Sequence, residues 1–162
     1  MERVSINQIQ PPQHTSGLNM TFSILLKTVL ALVGLAIMTL GLNIGLGGIP
    51  TLGWQVSEPF ITVTNETIYH VQDSHIRFIG GVWFSVGAIF ALGAFLQASL
   101  RPTLIILCSA ITCAGLFRLS GVEGGAVFSA AILPSLALEI VAFPLLGWWL
   151  ARSGKRANLA AV

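Results

Sequence analysis

Four apolar runs dominate the chain, separated by one long polar stretch and two short breaks. The runs cover Thr21–Leu46, His75–Ala98, Thr103–Ser120 and a stretch ending at Ala151. Each matches or exceeds the roughly 18 apolar residues at which a helix can cross the hydrocarbon layer of a bilayer. The pattern predicts an all-α membrane protein, a bundle of four transmembrane helices with spans at about residues 22–46, 75–98, 103–120 and 129–151. Between the first two spans lies a polar loop, 47–74. Gly47-Gly48, Pro50 and Pro59 break any helix early in it, and Phe60–Val71 fits either a short hairpin or a helical lead-in to the second span. The Arg101-Pro102 pair predicts a tight turn between spans two and three, because a residue preceding proline is pushed out of the helical region. Gly121–Gly125 form the second short loop.

The flanks differ in character. Residues 1–20 are polar and aperiodic with Pro11-Pro12, and read as a disordered tail; Met20 opens the hydrophobic region directly and is an alternative start. The first apolar run exceeds a signal-peptide core and lacks a small-residue cleavage site, so it is expected to stay as a span. Residues 152–162 form a basic, poorly structured tail. Composition agrees with a lipid environment: 54% of residues are hydrophobic and 9% charged, against about 25% charged in soluble domains. The net charge of +2 is too small to suggest nucleic-acid binding. Cys108 and Cys113 are out of phase on one helix and read as buried small hydrophobes.

The charges orient the bundle. Arg3, Lys27, Arg101, Arg152, Lys155 and Arg156 fall on one side, whereas Arg77 and Arg118 stand at span ends on the other with Glu58, Glu66, Asp73 and Glu123. Lysine and arginine concentrate in cytoplasmic loops. Both termini are therefore expected in the cytoplasm, with the long loop outside. Trp148 and Trp149 beside Arg152 suit an aromatic belt at the inner interface.

Candidate chemistry begins with Glu139, a carboxylate within the fourth span. Such a group costs about 2.5–3.5 kcal/mol to insert and normally faces a partner or a cavity. Counted from the cytoplasmic ends at 1.5 Å per residue, Glu139 lies about 20 Å up and Arg118 about 25 Å up, so the two are expected to pair in the outer half of the bundle. Asn43 reaches the same level, and Arg77 sits above it with His75 and Asp73 at the mouth. Ser135 shares a helical face with Glu139. These residues outline either a sealed register pin or a pocket for a ligand or headgroup. A proton or ion path is a third possibility. Gly41 with Gly45, and Gly80 with Gly81, permit close helix packing. They would allow a homo-oligomer without demanding one. Pro134 and Pro144 bracket Glu139, and each removes a helical hydrogen bond. No nucleophile–base pair, phosphate loop or metal cluster is visible, so no catalytic residue, metal or cofactor is expected.

The segment Asp73-Ser74-His75-Ile76-Arg77-Phe78-Ile79-Gly80-Gly81 resembles the start of span two in an uncharacterised family of small four-helix bacterial membrane proteins, known as a domain of unknown function. The resemblance covers about Ser23 to Ala151 and includes Arg118 closing span three and Glu139 within span four. It implies a bacterial inner-membrane location and an envelope-related role without a settled activity. The expected function is a non-enzymatic inner-membrane bundle that supports cell-envelope integrity through a membrane lipid or an envelope protein partner. The alternative is a small carrier or sensor that binds an anionic ligand or lipid headgroup in a periplasm-facing pocket.

Overall fold

A computed structural model describes residues 14–52, 63–120, 128–130 and 132–159. Among them the chain is helical with no strand. The elements are α1 (His14–Gly47), α2 (Ile49–Leu52), α3 (Glu66–Gly93), α4 (Gln97–Leu119), α5 (Leu133–Ala137) and α6 (Phe143–Leu159), with a π-helical turn, Leu138–Ala142, joining α5 to α6. Four segments are long and apolar enough to cross a membrane: Thr21–Gly47, Glu66–Gly93, Gln97–Leu119 and Leu133–Ser153. The protein is thus a multi-pass, four-helix membrane protein.

The helix ends depart from the periodicity in informative ways. α1 starts at His14 and α6 runs to Leu159, so parts of both expected tails are helical. α3 starts well before His75, because the Asn65 side chain accepts a 3.1 Å hydrogen bond from the Ile68 N–H and caps the helix. The stretch before span two is accordingly a helical lead-in from Glu66 on. The turn expected at Arg101-Pro102 lies instead at Ala94–Leu96, with Pro102 inside α4. Pro102 lies in the second turn of α4, where it has no N–H for the Ala98 carbonyl, and the helix continues past it to Leu119. Gly93 stands just before this turn and gives room to Leu104 of α4, since a Cβ there would lie 2.7 Å from Leu104 Cδ1.

The bundle is two helical pairs. α1 runs antiparallel along α3, and α4 packs on α6 and the π turn, while a smaller α3–α4 contact joins the pairs. Glycines bring the backbones of α1 and α3 together at several levels of their seam. A Cβ on Gly34 would meet the Ala91 backbone at 2.4 Å, on Gly41 the Phe84 backbone at 2.3 Å, on Gly80 the Gly45 backbone at 2.2 Å, and on Gly87 the Met38 backbone at 2.5 Å. This is small-residue packing of the kind that replaces the hydrophobic drive lost in lipid. Gly81 does not take part, since a Cβ there would meet nothing within 4 Å.

The apolar core gathers at the end where α1 begins. Leu26, Leu30, Phe90, Leu104, Cys108 and Leu150 are its most buried side chains, and Phe90 meets Phe143 edge-on with ring centroids 5.9 Å apart. Trp148 at this end lies under the Arg152 guanidinium, 4.1 Å from it. Beyond Gly115 the described α4 side chains are exposed, so the two pairs close firmly at one end and loosely at the other.

Candidate functional site

Two polar clusters occupy the loosely packed end. The first joins α4 to the fourth span. Arg118, one residue from the end of α4, donates through Nη1 to Glu139 Oε1 at 2.6 Å and to Ser135 Oγ at 3.1 Å. Ser135 is held in turn, its hydroxyl donating to the Ile132 carbonyl at 3.0 Å. Glu139 is 13% exposed and Arg118 41%. The carboxylate is therefore shielded while the guanidinium borders the bundle surface.

Local backbone puts Glu139 there. Its turn is wound as a π-helix, closed by the Phe143 N–H on the Leu138 carbonyl. Pro144 follows at once and has no N–H to continue the ladder, which favours an irregular turn at this point. π turns insert extra winding and often occur at functional sites. The side chain lands on Gly115, where a Cβ would stand 2.7 Å from Glu139 Cβ and 3.1 Å from Oε2. Glycine is thus required for the carboxylate to lie flat against α4.

The second cluster clasps α1 to α3. Asp73 Oδ2 accepts from Arg77 Nε at 2.7 Å, and Asp73 Oδ1 accepts from the Ile49 N–H, also at 2.7 Å. Arg77 Nη1 donates to the Leu46 carbonyl and, at 3.5 Å, to that of Gly45, and Nη2 reaches the Gly47 carbonyl at 3.4 Å. These are the orphan carbonyls at the end of α1, where a cation also meets the negative end of the helix dipole. Gly48 turns the chain with φ +70°, and its N–H bonds the Ile44 carbonyl at 2.8 Å, as expected of a glycine just past a helix end.

The sequence-derived residues therefore divide. Arg118, Glu139 and Ser135 come together. Arg77 and Asp73 form a separate site, in which each of the three Arg77 nitrogens is turned to Asp73 or to the α1 carbonyls. His75 is exposed, with Nδ1 2.9 Å from the Val71 carbonyl, and belongs to neither ligand set. Asn43 is exposed and adds nothing to the Arg118 cluster's hydrogen bonds. Of the packing glycines, Gly41, Gly45 and Gly80 lie in the α1–α3 seam, and Gly34 and Gly87, which sequence reasoning missed, extend it. Their seven-residue spacing, with Gly34 and Gly41 on α1 and Gly80 and Gly87 on α3, was the available signal. Among the described residues no three His, Cys, Asp or Glu side chains gather as metal ligands.

A family model described as a domain of unknown function, DUF4345, matches residues 25–150. The chain belongs to the DUF4345 family. The matched region runs from the first span to the last and contains both polar clusters. No curated protein and no solved structure matches the chain.

Proposed function

We propose that this DUF4345 protein is a non-enzymatic bundle of the bacterial inner membrane, with both termini in the cytoplasm, that supports the integrity of the cell envelope. The Arg118–Glu139–Ser135 layer in the outer half of the bundle is the working surface. The observation that carries the reading is the exposure of Arg118. A pair sealed inside the bundle would have to meet its remaining hydrogen bonds within the protein and would have no donor to offer a ligand. Here the guanidinium stands at the edge, available to a lipid or an envelope partner.

A strain lacking the gene is expected to become sensitive to detergent and to chelation of divalent cations. Wild-type protein restores resistance, whereas Arg118→Gln at equal membrane abundance does not. Full rescue by Arg118→Gln would remove the cluster from the function. The carrier or sensor reading draws on the same exposed arginine, with Arg77 turned to Asp73 and the end of α1 in a separate cluster. Uptake or release of an anionic solute by the protein in proteoliposomes, abolished by Arg118→Gln, would favour it.

A further inference from the structure

The Arg118–Glu139 pair is incompletely satisfied on both sides. A carboxylate offers about four lone-pair sites, and the described contacts of Glu139 include one hydrogen-bond donor, Arg118 Nη1, with Oε2 buried and unpartnered. Among the described residues Arg118 commits one nitrogen of three, with the Nε–Nη2 edge uncommitted, the planar fork that matches two oxygens of a phosphate or carboxylate. Oε1 and Ser135 Oγ, both held against Nη1, each keep acceptor capacity next to that fork. The cluster therefore offers two open donors and two open acceptors side by side.

Charge decides which ligand can use them. Arg118 and Glu139 cancel, and the other described titratable groups on the elements around Glu139 lie elsewhere. α5 has none, α6 has none before Arg152, and on α4 Cys108 is in the apolar core, Cys113 is on an exposed face and Arg101 is 17 residues from Arg118. A net anion would leave an uncompensated charge in a medium of low dielectric, which is costly. A zwitterion adds none. The surroundings decide the source: Phe117 is 73% exposed, Phe128 76%, and Leu116 and Leu133 are also exposed, so the cluster opens onto an apolar, lipid-facing surface.

We propose that the Arg118–Glu139–Ser135 cluster, deepening the envelope reading above on which it rests, binds a zwitterionic headgroup with a phosphate and a primary ammonium, that is, an aminophospholipid. The phosphate takes the Nε–Nη2 edge of Arg118. The ammonium donates to Glu139 Oε1 and Ser135 Oγ.

The test is native mass spectrometry of the full-length protein released from detergent with phosphatidylethanolamine, phosphatidylglycerol or phosphatidylcholine of identical acyl chains. Phosphatidylethanolamine is expected to be retained about tenfold better than either of the others, the worth of one charge-assisted hydrogen bond. Phosphatidylcholine lacks the N–H donor, and phosphatidylglycerol lacks the cation. Glu139→Gln is expected to erase the preference over phosphatidylcholine, and Arg118→Gln to lower retention of all three. Equal retention of the three lipids by wild-type protein, or preference for phosphatidylglycerol, would overturn the proposal without any variant having to fold. So would binding of soluble phosphoethanolamine as tight as that of the lipid, which would point to a soluble ligand. Loss of selectivity in this experiment, with Arg118→Gln still failing to restore envelope resistance, would reject the lipid and keep the envelope role.

Discussion

Glu139 and Arg118 hold one another in place, and their coupling is measurable. Removing the carboxylate charge leaves the guanidinium with neutral partners alone, so Glu139→Gln is expected to destabilise the protein in detergent by about 1–3 kcal/mol. Arg118→Gln in the same chain should recover part of that loss, because it removes the stranded cation. Losses that simply add would separate the two residues energetically. Gly48 is a second single-residue test. Alanine there must adopt the left-handed conformation, at a cost of about 1–2 kcal/mol, and its Cβ would stand 2.0 Å from Asp73 Oδ1. Gly48→Ala is expected to lower the melting temperature as Asp73→Ala does, and the double variant should lose less than the sum. At this scale the Arg118–Glu139 contact was legible, because two ionisable groups in apolar spans counted to similar heights. The task of Arg77 was not. Besides Asp73 four residues before it, its partners are backbone carbonyls of α1, which no pattern of side chains announces.

Among elements, the α1–α3 seam sets the geometry. At its glycines backbone lies against backbone, so an added side chain there finds no room. Gly87→Ala is expected to cost about 1–3 kcal/mol by overpacking against the Met38 backbone. Gly81→Ala, six residues away on the same helix, should leave the melting temperature unchanged. A reversal of that order would contradict the seam. The number of spans was readable from apolar length alone, whereas their ends were set by contacts between helices. Gly93 admits Leu104 just before the turn, which lies ahead of Arg101-Pro102, and Asn65 starts α3 inside what composition marks as loop. The π turn was hidden for a different reason. Two prolines signal irregularity, but an apolar span carries no alternation to reveal an extra residue in one turn.

For the molecule as a whole, the firm apolar core lies at one end and the polar clusters at the other, and the orientation proposed from lysine and arginine would place the clusters outside. Thr64, exposed just ahead of α3, reports on it directly. With Cys108 and Cys113 replaced by serine or alanine, Thr64→Cys should react with a membrane-impermeant maleimide added outside the inner membrane. Reaction only after the membrane is opened would reverse the topology. The arrangement in two pairs also has a meaning during synthesis. The Asp73–Arg77 clasp and the glycine seam connect only the first two spans, with no contribution from α4 or α6. A nascent chain that has released Gly93 already holds every group needed to lock that hairpin. The first pair is thus able to leave the insertion machinery as a finished piece, and the second pair, carrying Arg118 and Glu139, is assembled against a surface that is already rigid.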